Sequence, residues 1–471
     1  MQATAEPLSA EDLGTSLTEE RAREIFRMGE EAVVFALLTQ AQALNKTGSA
    51  KKPSPSTPSG AVAPYQKPTQ NKRGKKPGRK PGHSGSRRPG PTQIDNTQIH
   101  RLESCPDCGA QLNRCNQTRT RLTEDIPEDI KPVVTEHIIH RDWCPCCRRH
   151  VEPKATDALP GSQIGNRVLV LTAWLHYGLG TTINQIVQIF NCHLQMVLTS
   201  GGLVQMWHRL AELLYGWYQQ IQQEALQSAV LHADETGWRV NGKTHWLWCF
   251  TNPNLTYYMI DRSRGSPALM KFFTEAFEGT LISDFWGAYN AIVCGSRQMC
   301  LVHLLRDLEY VEQYRTLNKD WPQFAKKLRR LIRDAMRLSQ HDPTERASRR
   351  ERLDMRLQDL IDEPWQHLEA RRLIKRLRRH SSDLFTFLDY DNVPSDNNHA
   401  ERAIRPAVII RKNSQSNRSD RGADTQAILM SVYRTLKQRG HQPLNTINRA
   451  LGTYLRTGQM PPLPHILTPD G

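Results

Sequence analysis

Residues 228–262 read SAVLHADETGWRVNGKTHWLWCFTNPNLTYYMIDR, and this stretch leaves the backbone few choices. Apolar, aromatic and β-branched residues fall into three short blocks, separated by Asn241-Gly242 and by Asn252-Pro253-Asn254. Asn-Gly supplies the two positive φ angles of a tight hairpin, so the first two blocks are predicted to be antiparallel strands. The Asn-Pro-Asn turn adds a third strand. Downstream, SPALMKFFTEAF has helical spacing, GTLISDFWGAYN gives a fourth strand broken by Asp284, and RQMCLVHLLRDLEYV a fifth strand running into a helix.

The order β-β-β-α-β-α-β is that of the ribonuclease H-like fold, in which the first and fourth strands are neighbours. The expected fold class is therefore multidomain α+β, with a ribonuclease H-like α/β core built on a mixed five-stranded sheet. If Asp234 ends the first strand and Asp284 the fourth, strands about 5 Å apart bring both carboxylates to one point. Hard oxygen ligands of this kind select Mg²⁺ or Mn²⁺, which in pairs activate a water or a 3′-hydroxyl at a phosphodiester. The alternative is two strand-end acids that only meet solvent.

A third acid has to come from beyond a long basic, helical stretch that includes FAKKLRRLIRDAMRL and EARRLIKRLRRH. This stretch reads as an insertion at about 315–390, and its Arg and Lys faces suit either solvent or a DNA backbone. The core then resumes at SDNNHAERAIRP, where Asp396 and Glu401 both qualify. Asn398 and Glu401 have the spacing of a capping box, with Asn398 as N-cap and Glu401 reaching back to its amide. In that arrangement Glu401 would swing between cap and metal.

Two cysteine pairs, Cys105-Pro-Asp-Cys108 and Cys144-Pro-Cys-Cys147, have the form of zinc knuckles. Cys105, Cys108, Cys144 and Cys147 are the expected ligands of a structural Zn²⁺, with Cys115 and Cys146 as possible substitutes. The alternation in VVTEHIIHRDW predicts strands that bring the pairs together. Before this module, residues 46–93 are rich in Pro, Gly, Ser and Lys/Arg and cannot form a core. Lys75, Lys76, Arg79 and Lys80 lie there without an acid nearby and suit DNA phosphates.

The chain is expected to divide into an N-terminal helical segment (1–46), a basic linker (47–100), a zinc-ribbon-like domain (101–155), a helical region resembling a helix-turn-helix (160–226), the catalytic domain (228–455) and a tail (456–471). In the first segment Ile25, Met28, Ala32, Phe35 and Leu38 share a helical face. With 63 Lys+Arg against 48 Asp+Glu, the formal charge of +15 favours a polyanionic partner. No long apolar run or secretion signal is visible, so a soluble, cytosolic protein without a membrane partner is expected.

Several blocks in order, KPGRKPGHSG, CPDCG, CPCC, HADETGWRV, ISDFWGAYN, MCLVHLLRDL and NNHAERAIRPAVIIRKNSQSNRSDRG, together resemble the DDE transposases of the insertion-sequence-66 family. The resemblance implies DNA cleavage and strand transfer at element ends, with Asp234, Asp284 and Glu401 as a metal-binding triad. It also implies that Cys300 and His303 lie beside the site; His303 there suits a proton or phosphate ligand and, equally, a core residue making one hydrogen bond. DNA, a homo-oligomer formed on DNA and accessory proteins of the element are the expected partners. Arg402, Arg405, Arg411, Lys412 and Arg418 follow Glu401 and suit phosphates or surface ion pairs equally. Two other readings remain at this point: a zinc-containing DNA-binding regulator with an inactive nuclease fold, and a nuclease or resolvase of the same fold.

Overall fold

The computed structural model describes residues 23, 25–27, 30, 33, 91–113, 118–127, 130–314 and 320–467. Lys75, Lys76, Arg79, Lys80 and Cys115 lie outside them, as do Met28, Ala32, Phe35 and Leu38 of the expected first helix. The chain divides into two units, one of Met1–Asn71 with Leu305–Leu317, the other of Lys72–Leu304 with Asn318–Gly471. In the first unit the described residues between 23 and 33 are helical, with Ile25 buried and Phe26 exposed.

The second unit begins with the cysteine region. Here β1 (Asp142–Cys144) and β2 (Arg149–Val151) form a small antiparallel hairpin around the second knuckle. The strands expected across VVTEHIIHRDW are otherwise absent. Val133, Val134 and Ile138 are 93%, 89% and 78% exposed, and only Asp142 and Trp143 of that segment enter β1. Alternation alone does not make a strand when no partner edge or apolar face receives it.

Three helices follow: α1 (Asn166–Ala173), α2 (Ile183–Gln188) and α3 (Ser200–Leu226). Thr182 and Gln185 form a reciprocal capping box at the start of α2, and Thr199 caps α3. The pair differs from a free helix-turn-helix in its second member. Leu203, Trp207, Leu210, Leu214, Trp217 and Ile221 bury one stripe of α3 in the same core as the sheet, so that face is taken up by packing.

The main sheet has the order β5-β4-β3-β6-β7, built from β3 (Val230–Val240), β4 (Lys243–Asn252), β5 (Leu255–Asp261), β6 (Phe277–Ser283) and β7 (Cys294–Met299), with α4 (Ser266–Phe272) between β5 and β6. Asn241 and Gly242 take φ of 48° and 72°, the hairpin that their identities predict. At the next turn Asn252 Oδ1 accepts from the Asn254 and Leu255 amides. β3–β4 and β4–β5 are antiparallel, while β3–β6 and β6–β7 are parallel. The sheet is thus mixed and five-stranded, as expected.

After β7 come α5 (Leu301–Tyr314), α6 (Trp321–Leu338), α7 (Pro343–Asp362) and α8 (Leu368–Arg379). Trp321, Phe324 and Trp365 form an aromatic centre for α6–α8, apart from the main core. The chain then returns through α9 (Asn398–Ser414), α10 (Asp420–Gln438) and α11 (Pro443–Thr457). Ser431 and Thr435 of α10 accept hydrogen bonds from the Tyr258 and Thr256 amides, which covers the edge of β5. No helix among the described residues is long and apolar enough to cross a membrane.

Candidate active site

The parallel pairing of β3 with β6 runs Val230 to Thr280, Leu231 to Leu281 and His232 to Ile282. Carried on by two residues, the same register sets Asp234 beside Asp284. Asp284 directly follows β6, as expected, but Asp234 does not end its strand. β3 continues to Val240 because the hairpin with β4 extends it past the point where β6 stops. Asp234 therefore sits where β3 separates from its parallel neighbour, a common place for a ligand site in sheets of this kind.

Each acid has one oxygen fixed by the backbone. The Glu235 amide donates to Asp234 Oδ1 at 2.9 Å and the Trp286 amide to Asp284 Oδ1 at 2.8 Å. Burial first, then the charges of Glu235, Asp284 and Glu401, raise Asp234 well above the usual carboxylate range, with the Glu235 amide opposing them. Glu401 lies one turn into α9, with Oε1 3.8 Å from His303 Nε2. Asp234 thus feels the charge of both other expected acids, and His303 stands next to one of them.

The capping box at 398–401 is not formed. The helix starts one residue earlier than a cap at Asn398 requires, with Asn397 as N-cap and no side-chain cap. Asp396 Oδ1 instead accepts from the Asn398 amide at 2.9 Å, which is the role of a turn residue. Glu401 is therefore not held as a cap.

Asn397, which the sequence did not single out, joins three parts of the site. Its Nδ2 donates to Ala233 O at 2.8 Å, its Oδ1 accepts from His232 Nδ1 at 3.0 Å, and its amide donates to Cys300 Sγ at 3.2 Å. Its own carbonyl accepts from the Glu401 amide. The other end of α9 is held too. Past Ser414, the Asn417 amide donates to Arg239 O, Asn417 O accepts from the Asn241 amide, and Trp238 Nε1 donates to Asn417 Oδ1. The helix that carries Glu401 is thus tied at both ends to the strand that carries Asp234. Cys300 donates its amide to Ser283 O, next to Asp284, and burial pushes its thiol up to about 11.

Glu235, also unforeseen, points to the opposite face of β3. Arg264 donates to its Oε1 through Nε and Nη2, and Tyr289 OH donates to Oε2. The guanidinium lies between the rings of Trp246 and Trp286, 4.4 and 3.9 Å from their centroids. Trp286 is the residue whose amide holds Asp284, so this cluster steadies the loop after β6. An Asp-Glu pair on one strand was the only sequence signal for it.

Of the cations after Glu401, Arg402, Arg405, Lys412 and Arg418 are exposed. Arg411 is not free for phosphate: its Nη1 donates to Thr236 Oγ1 and to Gly237 O on β3. A cavity of about 970 Å³ opens at the start of β3 near Val230 and Asn254, and none of Asp234, Asp284 and Glu401 lines it. Its position excludes it as the acid site.

Both cysteine knuckles are formed as turns. The Gly109 amide donates to Cys105 O, Gly109 takes φ of 73°, and the Cys147 amide donates to Cys144 Sγ at 3.4 Å. Backbone amides at Cys108 and Asp107, and at Cys147 and Cys146, lower the Cys105 and Cys144 thiols toward the thiolate form. That chemistry fits Zn²⁺. Likewise, three carboxylates whose mutual repulsion raises Asp234 fit a hard divalent cation. Among the described residues no three His, Cys, Asp or Glu side chains stand close enough to share one ion, at the knuckles or at the three acids.

Residues 161–425, more than half of the chain, match the family described as Transposase IS66 family. Residues 103–148, which span both knuckles, match the zinc-finger binding domain of transposase IS66. The chain is also similar to the uncharacterized protein y4qI of Sinorhizobium fredii (strain NBRC 101917 / NGR234), at 25% identity over 240 residues. That match spans 45% of this chain and 44% of the relative.

Proposed function

Because the chain belongs to the IS66 transposase family, we propose that it cuts DNA at the ends of an insertion sequence and joins them to target DNA, using Asp234, Asp284 and Glu401. The observation that supports this reading is the β3–β6 register, which pairs His232 with Ile282 and, continued by two residues, would bring Asp234 to Asp284 where the two strands part. The core is accordingly read as ribonuclease H-like. A water attacks first to free a 3′-hydroxyl at the element end, and that hydroxyl then attacks a target phosphate, with no covalent enzyme intermediate.

A divalent cation, Mg²⁺ or Mn²⁺, bound by Asp234, Asp284 and Glu401, supplies Lewis acidity and positive charge at the scissile phosphate. The chain's own residues hold the geometry. The amides of Glu235 and Trp286 orient the two aspartates and leave the second oxygen of each for a ligand. His303, beside Glu401, orients that carboxylate and offers a proton acceptor at the edge of the site. Cys105, Cys108, Cys144 and Cys147 are read as a structural zinc set, and exposed Arg402, Arg405, Lys412 and Arg418, with the basic stretch around Arg79, as phosphate contacts.

The test is incubation of the protein with supercoiled DNA carrying candidate element ends and Mg²⁺, alongside Asp234→Ala, Asp284→Ala and Glu401→Ala. Each variant is expected to cut roughly a hundredfold more slowly or worse. Undiminished cutting in all three rules the site out, and loss in Asp396→Ala but not Glu401→Ala moves the third acid to Asp396.

A further inference from the structure

A second pocket, of about 320 Å³, lies beside α9, and none of the three acids lines it. It is bounded by the turn after α1 (Trp174, Tyr177), by Pro406 of α9, and by Tyr433, Arg434 and Lys437 of α10. No Asp or Glu lines it. Arg434 and Lys437, one turn apart on α10, make no ion pair with a carboxylate among the described residues, and the buried Arg434 Nε finds no hydrogen-bond acceptor. The charge of Arg434 is nevertheless felt nearby, since it helps to lower the proton affinity of His399. A half-buried guanidinium without an anion is an unfavourable arrangement in a folded chain, and phosphate is the anion whose geometry it matches best.

The aromatic wall narrows the ligand further. Tyr433 and Tyr258 spend their hydroxyls on Val170 O and Ala403 O, and so present rings to the pocket. Trp174 lies over Gly178, whose missing side chain leaves room for the indole. Rings beside two cations, in a volume near the lower end for small-ligand sites, suit a base together with its phosphate. Pro406 lies five positions after Glu401 on the same helix, roughly 7.5 Å along its axis. We propose that this pocket binds one nucleotide of the DNA strand that crosses the acid site, with its phosphate on Arg434 and Lys437 and its base against Trp174. The proposal rests on the transposase reading for the identity of the strand.

The test measures binding of a labelled single-stranded oligonucleotide and a labelled duplex, both of arbitrary sequence, by fluorescence anisotropy in EDTA over a range of salt. The proteins compared are the wild type, Arg434→Gln, Lys437→Gln, the double variant, Arg434→Lys and Trp174→Ala. Arg449→Gln, an exposed cation on α11, serves as the control for charge. Each Gln substitution in the pocket is expected to weaken single-strand binding roughly tenfold and to flatten the slope of log K against log salt by about 0.7. Arg434→Lys keeps the slope, and Trp174→Ala weakens binding without changing it. A double variant that matches Arg449→Gln in affinity and slope overturns the pocket, while a wild type that binds no DNA at all overturns the transposase reading instead. Displacement of the wild-type strand complex by micromolar dAMP overturns the strand assignment in favour of a free nucleotide, and inorganic phosphate acting equally well overturns the base contact. Lys437 is exposed, so Lys437→Gln carries the test even where Arg434→Gln folds poorly.

Discussion

Replacing Asn397 with Ala removes one side chain and separates two carboxylates. The Asn397 side chain is 1% exposed and His232 is 4% exposed, so neither Ala233 O nor His232 Nδ1 can turn to water for the partner it loses. Each buried polar group left without a partner costs about 1–3 kcal/mol, which gives about 2–6 kcal/mol for the pair. For a unit of this size that corresponds to a fall of about 2–7 °C in the midpoint of the near-ultraviolet circular dichroism melt. The effect should also be local. The Glu401 amide is bonded to the Asn397 carbonyl, so hydrogen exchange in the first turn of α9 is expected to quicken while the turn at Asn417 stays protected. A melt within about 1 °C of wild type, together with unchanged exchange at Ala400 and Glu401, would refute the view that Asn397 joins the two acids.

Burial holds His232 at about 4, below its ordinary value. The unfolded chain therefore binds the extra proton first as pH falls from about 6.5, and up to about 3 kcal/mol of stability is lost by pH 4 while none is lost above neutrality. His232→Gln should flatten that part of the stability-against-pH curve in urea titrations, and an unchanged slope would assign the loss to other groups. A Cβ at Gly279 would fall on the carbonyls of Ser228 and Ala229, so Gly279→Ala should push β3 and β6 apart, at a cost of about 3 kcal/mol or more, with a matching loss of soluble yield. Wild-type yield and melting point in that variant would show that the strands can shift. Elemental analysis should find zinc bound to the wild-type protein and lost from Cys105→Ser and Cys144→Ser, with the melt of the sheet unit unchanged. Equal zinc in all three would exclude the knuckles as ligands.

The sheet was legible because its signals are local. Asn241-Gly242 dictates a hairpin by its own φ preferences, and the block order that follows fixes which strands can be neighbours. Asp234 and Asp284 could be singled out as candidates for the same reason: one stands within and the other next to a recognisable strand. What escaped depends on contacts far apart in sequence. Glu235 and Arg264 belong to different strands and turns, and nothing in either neighbourhood announces that a guanidinium will lie between Trp246 and Trp286. Asn397 looked like one more polar residue before a helix. Its burial follows from the return of α9 to β3, a tertiary fact that overrode the capping pattern one residue later. In VVTEHIIHRDW the error ran the other way, since a strand-like pattern found no partner strand.

The double attachment of α9 to β3 also sets an order of events during protein synthesis. A ribosome delivers Asp234 and Asp284 first, then the whole of α6–α8, and only afterwards the helix with Glu401. Even then the helix is not secured until Asn417 has reached Arg239 and Asn241, and the β5 edge stays open until Ser431 and Thr435 arrive. An unfinished or prematurely stopped chain thus carries two acids of the set but not the third in place. The three proposed acids can therefore stand together only after residues 398–438 have been made and packed against β3 and β5.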